Sequence, residues 1–150
     1  MSDAPFSPET HSIGDSRYFE DLRVGEQFYI PSRTMTDALF AAFQTASGDN
    51  HPIHYDVEYC RRHGHPAMLA HGFQILIQSA AGAGSFPFVI GDSLIGFLEQ
   101  SSRFLKPVYV GDTVYPMLTI AALTAQRSTG VVTMAATIQN QNSEIGRAHV

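Results

Sequence analysis

The stretch Phe73 to Ala83 reads F-Q-I-L-I-Q-S-A-A-G-A, apolar on nearly every side and rich in small residues. A helix with such a surface has no face to offer water, so it folds only where other structure surrounds it. The later part of the chain can supply that cover. From Ser93 onward the pattern turns to strands, over Leu94 to Lys106, Thr113 to Leu123 and Ser128 to Gln139, and in the last of these Val132, Met134, Ala136 and Ile138 alternate with mostly polar neighbours. Gly111-Asp112 and Ser128-Thr129-Gly130 supply turn residues. This order predicts an α+β domain, a curved antiparallel sheet wrapped around a central helix.

Ahead of that helix, Phe28 to Thr34 reads as a short strand, and Thr36 begins a helix as its N-cap, with Asp37 in the first turn. Leu39, Phe40 and Phe43, with Ala42 and Ala46, form one apolar stripe to about Ser47, and Gly48 supplies the left-handed residue that ends it. Asp49 is thereby thrown off a helix end. His51 to Pro66 is irregular and rich in His and Pro, with a short helical piece over Val57 to Arg62; functional residues favour such loops. The division expected is a flexible arm over 1–17, one domain over 18–143 and a non-native tail over 144–150.

A length of 150 residues, 44% of them hydrophobic, fits a single globular domain with a core of its own. Cys60 is the only cysteine, which excludes an internal disulfide and paired-cysteine zinc sites and fits a reducing, cytoplasmic setting. The net charge of -5, with Lys106 the only lysine, argues against nucleic acid and anionic membranes as partners. The N-terminus lacks the basic start and apolar run of a signal peptide. Gly72 to Ile90, the longest weakly polar stretch, is broken by Gln74, Gln78, glycines and Pro87 and makes a poor membrane span. Open sheet edges and small-residue surfaces favour a homodimer.

The chemistry concentrates in Ser47-Gly48-Asp49-Asn50-His51-Pro52-Ile53-His54-Tyr55-Asp56. An acid and an imidazole stand four residues apart, stiffened by Pro52. Together they can hold one water and share its protons, because imidazole titrates near neutrality while a carboxylate accepts hydrogen bonds. Farther on, Ala70-His71-Gly72 opens the apolar helix, which places the Gly72 backbone N–H at a positive helix end able to polarise a carbonyl oxygen. The set suits addition or removal of water.

These segments, with Y-F-E-D-L-R-V-G-E at Tyr18 to Glu26, G-D-N-H-P-I-H-Y-D at Gly48 to Asp56, A-H-G-F at Ala70 to Phe73 and K-P-V-Y-V-G-D-T-V at Lys106 to Val114, resemble the MaoC-like dehydratases, the (R)-specific enoyl-CoA hydratases. The resemblance implies a hot-dog fold, usually dimeric, that interconverts a trans-2-enoyl-CoA and its (R)-3-hydroxyacyl-CoA. The family's catalytic Asp and His fall on Asp49 and His54, and its carbonyl-polarising glycine on Gly72. Asn50, Pro52, Ile53, His71 and Phe73 are expected to bind the substrate, an acyl-CoA or acyl-carrier thioester, with neither metal nor cofactor. Such domains finish with another long strand, and none is legible after Gln141, so the domain is expected to lack its last native strand. Asn50-His51-Pro52 stands where many members carry Asn-Pro, Phe73 replaces a commoner methionine, and Ser79 is a minor candidate beside Ala80.

Three other readings compete. A hot-dog thioesterase commonly carries a carboxylate on the central helix, and Gly72 to Gly84 contains none. A noncatalytic acyl-thioester binding module would not need Asp49 and His54. His51, His54, His63, His65 and His71 include H-x-x-H and H-x-H spacings that suit zinc or iron, though not the helical i, i+4 pair. His63 and His65 read better as loop residues, and His71 as an anchor of the central-helix start by hydrogen bonding. Tyr55 and Asp56 either orient His54 or tie the loop down, and Phe86, Phe88 and Phe97 read as ordinary core.

Overall fold

The computed structural model describes residues 6–143 and, as backbone, 145–149. One antiparallel sheet forms the body: β1 (Gln27–Tyr29), β2 (Arg33–Thr34), β3 (Ser101–Arg103), β4 (Thr113–Ala125), β5 (Gly130–Asn140) and β6 (Ile145–His149). The spatial order is β1-β4-β5-β6-β3, and β2 also pairs with β4. Along β4 the residues Val114, Pro116, Leu118 and Ile120 are buried, and along β5 Met134, Ala136, Ile138 and Asn140. These two sets lie directly opposite each other, Val114 on Asn140 through to Ile120 on Met134, so the register puts every inward residue on one face. The register shifts between Ile120 and Ala122, a bulge that bends the long strand.

Among the described residues, α1 (Asp37–Ser47), α3 (Gly72–Leu76) and α4 (Phe86–Ile90) pack on that face, while α2 (Val57–Arg62) packs against the Pro52–His54 turn. The core divides in two. Leu22, Phe28, Phe86, Ile90, Leu118, Ile120 and Met134 pack at one end, with Leu76 and Ala81 against them. Met35, Phe40, Ile75, Val114 and Ile138 fill the other, beneath α1. Phe86 meets Phe28 edge to face, with ring centroids 4.9 Å apart.

Several expectations need correction. The central helix is not continuous from Phe73 to Ala83: α3 stops at Leu76, short 3-10 turns come next at Ile77–Ser79 and Ala81–Ala83, and Ala80 between them is extended at ψ 128°. The Ser79 hydroxyl donates to the Leu76 carbonyl at 2.8 Å and Gln78 Nε2 to the Gln74 carbonyl at 3.0 Å, so side chains compete for the helix's own acceptors. The strand expected over Leu94 to Lys106 shrinks to β3, and Leu94, Ile95, Phe97 and Leu98 are 65–80% exposed. Phe88 and Phe97 are exposed as well, leaving Phe86 alone of the three in the core. The strand at the start splits into β1 and β2 around Pro31, which has no N–H for the ladder.

A strand also forms where none was legible. Residues 145–149 pair with 135–139 of β5 on one side and with β3 on the other, because the open backbone edge of β5 supplies partners whatever the side-chain pattern. It spans 5 residues against 11 in β5. At the other end the expected arm is already docked at Ser16 and Arg17: Arg17 N–H donates to the Val89 carbonyl at 2.7 Å, and its guanidinium grips Glu26 at 2.8 and 3.0 Å. Residues 1–5 lie outside the described part.

Gly84 shows how closely the helical layer sits on the sheet. A Cβ there would lie 2.8 Å from the Tyr29 carbonyl oxygen, a backbone atom that cannot swing away. Gly84→Ala is therefore expected to lower the stability by about 1–3 kcal/mol, the usual range for overpacking, read from the urea midpoint at unchanged m. An unchanged midpoint would show that β1 and the 3-10 layer do not pack this way.

Candidate active site

Two caps fix the loop that carries Asp49 and His54. The Thr36 hydroxyl accepts the Leu39 N–H at the start of α1, and at its end Gly48 takes φ 72°, its N–H closing on the Gln44 carbonyl at 2.8 Å. The chain turns there and delivers Asp49, whose own N–H donates to Ser47 Oγ at 3.2 Å. His51 Nδ1 then accepts the Ile53 N–H and caps the 3-10 turn Pro52–His54. Asp56 Oδ1 accepts the Tyr59 N–H at 2.9 Å and starts α2, which assigns Asp56 to tying the loop down. Tyr55 is half exposed.

His54 is locked from the other side. Its Nδ1 lies 2.7 Å from the Leu69 carbonyl, and the Leu69 N–H donates back to the Ile53 carbonyl at 3.1 Å. A carbonyl only accepts, so Nδ1 carries the proton and Nε2 keeps its lone pair. That lone pair lies 4.0 Å from Asp49 Oδ2. The gap is too long for a direct hydrogen bond and suits one water sitting about 2.8 Å from each atom. The His54 side chain is 13% exposed and that of Asp49 53%, so the pair opens outward on the carboxylate side.

Burial holds the His54 imidazole below its ordinary value of 6.5, and His71 and His51 push the same way; the Leu69 carbonyl and Asp49 push back. His54 is therefore neutral at neutral pH, as an acceptor of a water proton must be. Because the folded value is depressed, protonation opposes the fold. The contribution to stability is complete above about 6.5 and declines as pH falls from there toward the lower folded value. An activity that needs neutral His54 should keep its plateau below pH 6.5 before the acid limb of kcat/KM sets in. A limb above 6.5 would contradict the burial argument.

The expected substrate-binding residues divide. His71 is buried at 2% exposure, with Nε2 2.9 Å from the Asp49 carbonyl and Gln74 Oε1 3.3 Å from Nδ1, so it faces protein and not substrate. The Ile53 carbonyl accepts from Leu69 N–H and from Cys60 Sγ, a structural task. Asn50 is exposed, Pro52 half-buried, and Phe73 70% exposed. Ser79 is buried on the Leu76 carbonyl. Arg61 pairs with Glu58 along α2, and His63 Nδ1 sits on the Tyr59 carbonyl as a loop residue.

Gly72 is the first residue of α3, and its N–H has no acceptor within that helix. The helix is only 5 residues long, so its dipole is small and the N–H itself is what remains for polarising a carbonyl. Beside Gly72 lies a cavity of about 250 Å³, lined by Ala70, Ile75, Phe104, Pro107, Val108, Val114 and Ile138, with Lys106 and Asn140 among its polar wall. A Cβ on Gly72 would lie 3.2 Å from the Phe104 ring. Phe104 and the Leu69 carbonyl are the parts sequence reasoning missed. No residue type marks a carbonyl in advance, and Phe104 reads as one apolar residue among many.

Among the described residues, ligand atoms of Asp49, His54 and His71 lie within 4.8 Å of one another, near enough for a metal ion. The hydrogen bond of His71 disfavours that use, since its Nε2 points a proton at the Asp49 carbonyl. Gly72 lines the apolar cavity, and its neighbour His71 touches both Asp49 and His54, which links the donor to the acid and the lone pair.

The family described as MaoC like domain matches residues 21–142, a span that contains every one of these groups. The chain belongs to the MaoC-like family. Protein MaoC of Klebsiella aerogenes is 32% identical over 107 residues, 69% of this chain and 30% of that protein, so the chain spans under a third of its length. An (R)-specific enoyl-CoA hydratase of Rhodospirillum rubrum is 28% identical over 114 residues, covering 73% of this chain and 74% of that one. Among solved structures, the monoamine oxidase regulatory protein of Archaeoglobus fulgidus superposes with a TM-score of 0.83 at 26% identity, over 92% of this chain and 94% of that one. A Mycobacterium tuberculosis protein described as a double hot-dog fold gives 0.72 at 23% identity, over 89% and 42%. The MaoC-like domain is therefore a single hot-dog unit with an unclosed curved sheet, and no helix among its described residues is long and apolar enough to cross a membrane.

Proposed function

We propose that this MaoC-like domain reversibly adds water to a trans-2-enoyl thioester, giving the (R)-3-hydroxyacyl thioester, with CoA or an acyl carrier as the thiol. The observation that carries the reading is the 4.0 Å gap between His54 Nε2 and Asp49 Oδ2, with the tautomer fixed by Leu69. One water donates one hydrogen to each. As its oxygen attacks C3, His54 takes a proton, and electron density moves through C2 to the thioester oxygen. The Gly72 N–H faces that oxygen; a preformed donor of this kind contributes about 2.7–4 kcal/mol to the transition state. His54 then returns the proton to C2 on the face that was attacked, so protons balance and the imidazole ends neutral. Asp49 accepts the water's other hydrogen and holds it throughout. Only groups of the chain and the substrate take part.

Support from relatives is at the level of the family. The hydratase of R. rubrum and a 3-hydroxybutyryl-CoA dehydratase of Methylorubrum extorquens, 30% identical over 114 residues, bear names of this reaction class. The same reading includes a homodimer. Leu94, Ile95, Phe97 and Leu98 form an exposed apolar run that leads into β3, the last strand of the sheet order, and such runs mark contact surfaces.

The test is loss of the conjugated-thioester absorbance of crotonyl-CoA with chelator-treated protein, with free thiol followed alongside. Hydration with the thioester intact is expected. Thiol release would point to a thioesterase. No reaction with crotonyl, longer or branched enoyl-CoAs by folded protein would leave an acyl-thioester binding module.

A further inference from the structure

Asp49 and His54 meet through a third residue that touches both. The His71 ring stacks on the His54 ring with centroids 3.6 Å apart and planes 22° apart, while its Nε2–H donates to the Asp49 backbone carbonyl at 2.9 Å. Phe43 of α1 packs on the same ring at 4.9 Å, and Gln74 Oε1 lies 3.3 Å from both the His71 N–H and Nδ1. At 2% exposure His71 is out of reach of a substrate. Burying an imidazole costs free energy unless its nitrogens are hydrogen-bonded, and an apolar residue would fill the space without that cost. The polar ring therefore calls for a reason beyond packing.

We propose that His71 is a positioning residue for the Asp49–His54 pair: one nitrogen holds the Asp49 backbone, the ring face holds the His54 imidazole, and the gap that fits one water is set between them. This rests on the hydratase reading. It goes beyond that reading in making the geometry of the pair depend on a buried imidazole that never meets substrate. The groups facing His54 are Asp49, His51 and His71, with the Leu69 carbonyl on Nδ1. Of these, His71 lies against the whole ring face, so it also opposes protonation of its neighbour.

Two variants separate the parts. His71→Phe keeps an aromatic face and loses the bond to Asp49; His71→Gln keeps an N–H donor and loses the ring. Each is measured for kcat and KM with crotonyl-CoA and, separately, for the titration of His54 by NMR with ring-labelled histidine. His71→Phe should lower kcat by about 10–100-fold, as expected when reacting groups are displaced by about 1 Å, with KM little changed. It should also move the His54 titration upward, and His71→Gln should recover part of kcat. A rise in KM at constant kcat would assign His71 to substrate binding and overturn the proposal. So would folded variants with unchanged kcat and unchanged His54 titration.

The unsubstituted protein supplies a check that needs no variant to fold. The tautomer of His71 should place its proton on Nε2, protected from exchange by the Asp49 carbonyl; an unprotonated Nε2 would overturn the proposal. If the unsubstituted protein hydrates no enoyl-CoA, the hydratase reading fails, and the two NMR measurements still decide whether His71 holds the pair.

Discussion

His54→Ala is expected to lower kcat for enoyl-CoA hydration by about 10²–10⁴-fold, the range that a positioned acid–base group supplies. The substitution removes the imidazole lone pair aimed across the 4.0 Å gap, while Asp49 and the Gly72 N–H remain in the chain. Substrate binding does not pass through Nε2 in this account, so KM should change little and the loss should appear in kcat and kcat/KM alike. The fold should tolerate the change, because the Leu69 N–H keeps its bond to the Ile53 carbonyl when the imidazole is gone. A variant that is folded and still within threefold of the starting kcat would remove His54 from the chemistry.

Asp49→Asn should cost a similar amount for a different reason. The amide matches the carboxylate in size, and its oxygen can still accept the His51 N–H, as Asp49 Oδ1 does at 3.4 Å. The other position, Oδ2, becomes an NH₂ group facing the lone pair of His54. A donor there cannot accept a hydrogen from the water, which must turn away from the orientation that aims its oxygen at C3. A loss of about 10²–10⁴-fold in kcat is expected, with near-normal stability. The double variant should be little worse than the poorer single one, since two groups that hold one water act as a unit. Multiplying losses would mean that the two residues serve separate steps.

How much of this the chain discloses by itself depends on whether a feature is local. The helix over Asp37–Ser47, its Thr36 cap, the turn at Gly48 and the short helix over Val57–Arg62 are set by neighbours in sequence, and each stands where the residues place it. The β4 and β5 strands are legible because alternation on a half-buried sheet shows directly in residue type. Failures fall where distant parts decide. The central helix breaks because Ser79 and Gln78 take helix carbonyls, and because Gly84 must pass close to Tyr29. The strand over 145–149 forms on an edge that only the folded sheet provides.

The site divides in the same way. The approach of Asp49 to His54 and the place of Gly72 at a helix start are readable from spacing and from a resemblance to a family. The depth of His71 is not, because a histidine before a helix looks the same whether it faces solvent or the core. The Leu69 carbonyl, which fixes the tautomer of His54, has no signature at all. Leu94 to Leu98 read as part of a strand, with Phe97 in the core, whereas in the single chain Leu94, Ile95, Phe97 and Leu98 are exposed outside the ladder.

In the proposed reaction one water, held between Asp49 and His54, adds across the double bond with its proton returned to the face it attacked. Hydration of crotonyl-CoA in D₂O, with the product resolved by NMR and chiral analysis, tests this most directly. The account predicts a single (R)-3-hydroxybutyryl-CoA with one deuterium at C2 on the same face as the new hydroxyl. An (S)-product, a mixture of C2 diastereomers, or no hydration by the folded protein would contradict it.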